Sequence, residues 1–165
     1  MKQNIGRLLE QAHELVLFEE FDEALNIYNK LLTINPKNVS TLIDKAVTLQ
    51  KIGKNLQALK LFNSALKIEP RNIDGLLGKG TTLHAQKKYS DAILCYDSIL
   101  EINPKFPVAL AYKGMSLGEQ GKIKDALKFF KKALAIDKNY EPSNGEDWRY
   151  VVSWETFYCH RACGK

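Results

Sequence analysis

The run Ala58-Leu59-Lys60-Leu61-Phe62-Asn63-Ser64-Ala65-Leu66-Lys67-Ile68-Glu69-Pro70 decides the fold. Ala58, Leu59, Phe62, Ala65 and Leu66 recur at steps of three and four, so they share one stripe of a helix. Glu69-Pro70 stops that helix, because the residue before a proline is steered away from α geometry. Thirty-four residues upstream stand Ala24, Tyr28, Leu32, Ile34 and Pro36; thirty-four downstream stand Ala92, Tyr96, Leu100, Ile102 and Pro104. A further copy reads Ala126, Phe130, Leu134 and Ile136, with Lys138 in place of the proline. So many matching columns make an internal repeat, with units at 5–38, 39–72, 73–106 and 107–140 and a remainder at 141–165.

The upstream half of each unit predicts a second helix-forming pattern. Leu42, Ala46 and Leu49 lie at i, i+4 and i+7, and Leu8, Leu42, Leu76 and Leu110 form their own column at the same period. The two patterns part at Gly53, at Lys87-Lys88 and at Gly121-Lys122, where a helix C-terminus is expected. Asp22, Asn55 and Ser90 are the residue types that cap a helix start, here the second helix of a pair. Ala12, Ala46, Gly80 and Gly114 keep the first helix slim enough for close approach. The aromatic column Tyr28, Phe62, Tyr96 and Phe130 fills the space between one helical pair and the next. A single pair cannot cover its apolar side, so the units must stack.

These columns resemble the tetratricopeptide repeat family over residues 5–140. The small-large pattern is Ala12/Leu15/Ala24/Tyr28/Pro36, Ala46/Leu49/Ala58/Phe62/Pro70, Gly80/Leu83/Ala92/Tyr96/Pro104 and Gly114/Leu117/Ala126/Phe130. Leucine stands where the family often has tryptophan, and Lys138 departs from the proline as expected at the end of an array. The resemblance implies an all-α fold: a right-handed α-α superhelical solenoid of four stacked helix-turn-helix repeats, with a concave and a convex wall. It also implies a non-catalytic scaffold that holds a peptide or helix of a partner protein in the concave groove. Carried over by position, the groove lining is Leu9 and His13; Ile43, Asp44 and Val47; Leu77, Thr81 and His84; and Ala111, Tyr112 and Met115. That strip suits a peptide with spaced apolar anchors. Repeats that clamp a C-terminal carboxylate need converging cations. The equivalent positions here offer Asp44, Asp74 and Gly78 instead, so that reading is disfavoured.

Composition narrows the alternatives. The 165 residues are 45% hydrophobic and 26% charged, ordinary for a soluble globular protein. No apolar run is long enough to span a bilayer, and no membrane partner is expected. Three cysteines cannot build a disulfide framework and fit a reducing, cytoplasmic setting. No phosphate loop, nucleophile motif or metal-ligand spacing occurs, so no enzyme activity, cofactor or metal is expected. His13 and His84 lack further ligands, and Cys159, His160 and Cys163 fall short of four. The net charge of +5 concentrates in the lysines of 105–140. A weak nucleic-acid role through 122–138 is the alternative this raises. It is disfavoured because no arginine accompanies Lys124, Lys128, Lys131 and Lys132 to make bidentate contacts.

Residues 141–165 leave the pattern and hold Trp148, Tyr150, Trp154, Phe157 and Tyr158. Ser143, Asn144, Glu146 and Asp147 read as a helix start, which favours a C-terminal capping helix. The alternation of Trp148, Tyr150, Val152, Trp154, Thr156 and Tyr158 also permits a strand, or a tail that sits in a groove. Self-association through 148–158 is the corresponding alternative function.

Overall fold

The structure is a computed structural model that describes residues 2–136. The expected capping helix at 141–165, the self-association segment 148–158 and the Cys159/His160/Cys163 group lie outside the described residues. Among the described residues eight helices occur in four pairs: α1 (Lys2–Leu17) with α2 (Phe21–Ile34), α3 (Val39–Lys51) with α4 (Asn55–Ile68), α5 (Ile73–Ala85) with α6 (Tyr89–Ile102), and α7 (Pro107–Glu119) with α8 (Ile123–Ile136). The fold is an all-α helical repeat of the solenoid class. The chain divides into two compact units, one ending at Cys95 and one beginning at Tyr96.

Each pair is closed by the same hydrogen-bonded device. At the end of α3 the Lys54 amide donates to the Leu49 carbonyl at 2.9 Å and the Gly53 amide to the Gln50 carbonyl at 3.0 Å. The same two bonds recur at Glu20/Glu19, Lys88/Lys87 and Lys122/Gly121. This crossed pattern needs a left-handed residue at its centre. Gly53 (φ 75°) and Gly121 (φ 77°) adopt that geometry freely, whereas Glu19 (φ 62°) and Lys87 (φ 61°) hold a Cβ in it at some cost.

The turns between pairs use other chemistry. Asn38 caps α3, its Oδ1 accepting from the Thr41 amide at 3.0 Å, and Asn72 caps α5 in the same way from Gly75. The expected caps of the second helices are displaced. Asp22 and Asn55 sit inside the first turn, and the N-cap positions fall to Glu20 and Lys54 without a side-chain bond. The left-handed residue redirects the chain immediately before the N-cap, and the caps Glu20 (φ −81°, ψ 63°) and Lys54 (φ −78°, ψ 53°) are not in the extended geometry that Asn38 and Asn72 adopt.

In the first unit the core forms in consecutive layers. Ala12, Ala24, Ile27, Tyr28 and Leu31 close the α1–α2 layer. Ala46, Leu49, Ala58, Phe62 and Ala65 belong to the α3–α4 layer, onto which Leu25 and Leu32 of α2 also pack. In the second unit Leu110, Ala111 and Ala133 pack with Leu100 and Phe129. The aromatic column is the keystone: Tyr28, Phe62 and Tyr96 are at most 1% exposed.

Candidate partner-binding surface

At three joints the second helix of one pair meets the first helix of the next. At the α2–α3 joint Tyr28 reaches Asp44 and hydrogen-bonds with Thr48, and Lys45 Nζ donates to Asn29 Oδ1 at 2.7 Å. At the α4–α5 joint the Phe62 ring occupies the space over Gly78, and Leu66 lies against Gly75. At the α6–α7 joint Tyr96 stacks on Tyr112, with centroids 5.8 Å apart, and Lys113 pairs with Asp97. Asn29 and Asp97, like Lys45 and Lys113, occupy equivalent places in their repeats, so one polar latch is used twice.

A column of hydroxyls that sequence reading missed stiffens the same helices. Thr48, Thr82 and Ser116 recur at the repeat period and are at most 1% exposed. Thr48 Oγ1 donates to the Asp44 carbonyl at 2.9 Å and Thr82 Oγ1 to the Gly78 carbonyl at 2.6 Å. Each bond runs back four residues, which satisfies a buried hydroxyl within its own helix.

On this frame the first helices of the first unit are tied side to side. His13 Nε2 lies 3.2 Å from Asp44 Oδ2, linking α1 to α3, and Ser40 Oγ lies 3.5 Å from the same carboxylate oxygen. Gln50 Nε2 donates to Thr81 Oγ1 at 3.0 Å, linking α3 to α5. Gln50 stands one repeat before His84, a coincidence of register that would have revealed it. The Asp44 carboxylate has a second effect. Burial pushes the Tyr28 phenol up to about 12, the neighbouring Asp44 charge adds to the rise, and the Thr48 hydrogen bond opposes it.

The expected lining residues separate by exposure. His13 is half-exposed, and Leu9, Asp44, Val47, Leu77, Thr81 and His84 are intermediate. Val47 leans on the α3–α4 core, and the His84 ring meets Tyr89 edge-on at 5.1 Å. Tyr112 and Met115 are intermediate on α7 of the second unit. Ile43 and Ala111 are only 7% and 9% exposed and serve the core. The surface therefore offers apolar patches separated by hydrogen-bonding points. Among the described residues no group of three or more metal-ligating side chains occurs, and no helix is long and apolar enough to cross a membrane.

Elsewhere, Lys122, Lys124, Lys128, Lys131 and Lys132 are exposed around α8, whereas Lys113 is drawn over the Phe129 ring at 4.3 Å. Cys95 is a buried free thiol whose pKa is raised by burial, with Lys79 opposing and Asp91 adding.

Two tetratricopeptide repeat family models match, one over residues 49–113 and one over 107–140, together more than half of the chain. The chain belongs to the tetratricopeptide repeat family. Its repeats build a protein-interaction scaffold. No curated protein matches the chain. Among solved structures it is similar to MamA, at 19% identity and a TM-score of 0.74, over 82% of this chain and 79% of that one. TTC0263, a thermophilic tetratricopeptide repeat protein of Thermus thermophilus, gives 20% identity and 0.73, over 81% and 75%. YrrB, a tetratricopeptide repeat protein with an unusual peptide-binding site, gives 19% and 0.70, over 78% and 66%. At these identities the likeness concerns the fold.

Proposed function

We propose that this tetratricopeptide repeat protein is a non-catalytic scaffold that holds a peptide or short helix of another protein on the face formed by its first helices. One observation carries the reading: half-buried Leu9 on α1 and Leu77 on α5 hold the same place two repeats apart, half-buried Val47 on α3 lies one helical turn beyond the intervening place, and His13, Asp44 and Thr81 stand among them. Apolar anchors interrupted by fixed hydrogen-bonding groups are what a bound peptide uses for affinity and register. The peptide-binding site for which YrrB is known is consistent with this use of the fold. Within the second unit, taken by itself, Tyr112 and Met115 on α7 are side chains of the adaptable kind that peptide contacts use.

The test is selection of ligands from a displayed peptide library, followed by titration against Leu77→Glu and Tyr112→Glu. A Lys60→Glu variant, altered at an exposed site on a second helix, serves as control. Selected peptides should lose about tenfold or more in affinity on the first-helix changes, as expected when a charge enters an apolar contact, and nothing on the control. If circular dichroism shows every variant folded and the peptides bind all of them alike, the first-helix face is not the binding site.

A further inference from the structure

Beyond peptide binding, and independently of it, we infer that a second copy of this chain docks its α8 onto α1, repeating between molecules the joint that α2–α3, α4–α5 and α6–α7 make within one. The three internal joints define which positions meet. On the second helix they are the places of Tyr28, Asn29 and Leu32; on the next first helix they are those of Asp44, Lys45 and Thr48. Carried by the repeat to α8, the donor places hold Phe130, which is only 7% exposed and lies over Gly114 of α7, together with exposed Lys131 and half-buried Leu134, which are left to make the contact. Among the described residues no helix follows α8 to receive them.

The receiving places on α1 have a composition unlike that of their counterparts. Where later repeats put Asp44, Gly78 and Tyr112, α1 has Glu10; where they put the buried Thr48, Thr82 and Ser116, it has Glu14. Both glutamates are exposed, and Phe18 follows on the same stripe with 76% of its surface exposed. A large apolar side chain beside two like-charged carboxylates is a surface made for a partner with one apolar and one cationic component. The α8 stripe has that make-up, since exposed Lys124 and Lys131 flank Leu127 and Leu134 by helical spacing.

Charge argues for this occupant over others. The α1–α2 hairpin, residues 2–34, carries six carboxylates against three basic side chains, and the α7–α8 hairpin, residues 107–136, carries six lysines against two carboxylates. The internal latch pairs a lysine on the first helix with Asn29 or Asp97 on the second. Between molecules the polarity is reversed: Lys131 comes from the second helix and faces Gln11, with Glu10 and Glu14 on either side. The two faces are unlike, so the contact is heterologous and association can propagate.

Sedimentation of the full chain over a concentration series tests the inference. In about 0.05 M salt the mean mass should rise with concentration, and in about 0.5 M salt the rise should shrink, because screening shortens the reach of exposed charges. Glu10→Lys/Glu14→Lys and Lys124→Glu/Lys131→Glu alter exposed positions only, and each should weaken self-association about tenfold or more. Mixed together, the two double variants should associate again, since the basic α1 of one now meets the acidic α8 of the other. A chain that stays monomeric throughout overturns the proposal and leaves the α8 stripe to residues 137–165. Association that persists in both variants, or variants that do not recover on mixing, also overturns it, and the second of these would place the contact on another face.

Discussion

At the scale of single residues the sharpest constraint is Gly78. A Cβ built there would stand 2.3 Å from Phe62 Cζ, and Phe62 is fully buried, so its ring cannot swing aside. Gly78→Ala should lower stability by about 1–3 kcal/mol despite alanine's better helix propensity. In a Phe62→Leu background most of that penalty should vanish, and equal penalties in both backgrounds by thermal or denaturant melts would refute the contact. The left-handed positions give the opposite sign. Glu19→Gly and Lys87→Gly should each stabilise by about 0.5–1 kcal/mol by relieving Cβ strain; a loss at either would mean that its side chain outweighs its backbone. Tyr28 adds a pH dependence. An unfolded tyrosine titrates near 10, whereas Tyr28 in the folded protein holds its proton to about 12. Stability from this group is complete below about pH 10 and drains away as pH climbs through about 12, because the folded state there binds the extra proton. Tyr28→Phe should therefore gain on the parent protein above about pH 10, and melting curves that run parallel with rising pH would contradict the assignment.

At the scale of helices, almost everything set by periodicity was legible and almost everything set by neighbours was not. The paired helices follow from apolar steps of three and four, and the stops at Pro36 and Pro70 from steric exclusion. The left-handed turn was readable at Gly53 and Gly121, where the residue type announces it. It was hidden at Glu19, where the fold imposes the same geometry on a residue that resists it. The caps illustrate the same limit: Asn38 and Asn72 bond the third amide on, while Asp22 and Asn55 are enclosed in their helices. Of the residues expected to line a groove, His13 is brought to Asp44 as a polar tie by the register of α1 and α3. Ile43 and Ala111 sank into the core, because a residue at the margin of a helical stripe is claimed by whichever neighbour lies closer.

At the scale of the molecule, a stack held by nearest-neighbour layers should not be equally stable throughout. In the first unit α3 and α4 have packed helices on both sides, whereas α1 rests on α2 and on one polar tie to α3. Amide hydrogen exchange should therefore be slowest in α3 and α4 and faster in α1, and equal protection across the three would argue that the unit opens only as a whole. The order of the layers carries a further consequence. Tyr28 is fitted to Asp44 and Thr48, Phe62 to the bare backbone of Gly78, and Tyr96 to the flat ring of Tyr112. Although the repeats look interchangeable in outline, each bears a lock cut for one key. Shuffling the second and third repeats would press Tyr28 toward Gly78 and strand Asp44 beside Tyr96, so the succession of modules is itself written into the chain and resists recombination.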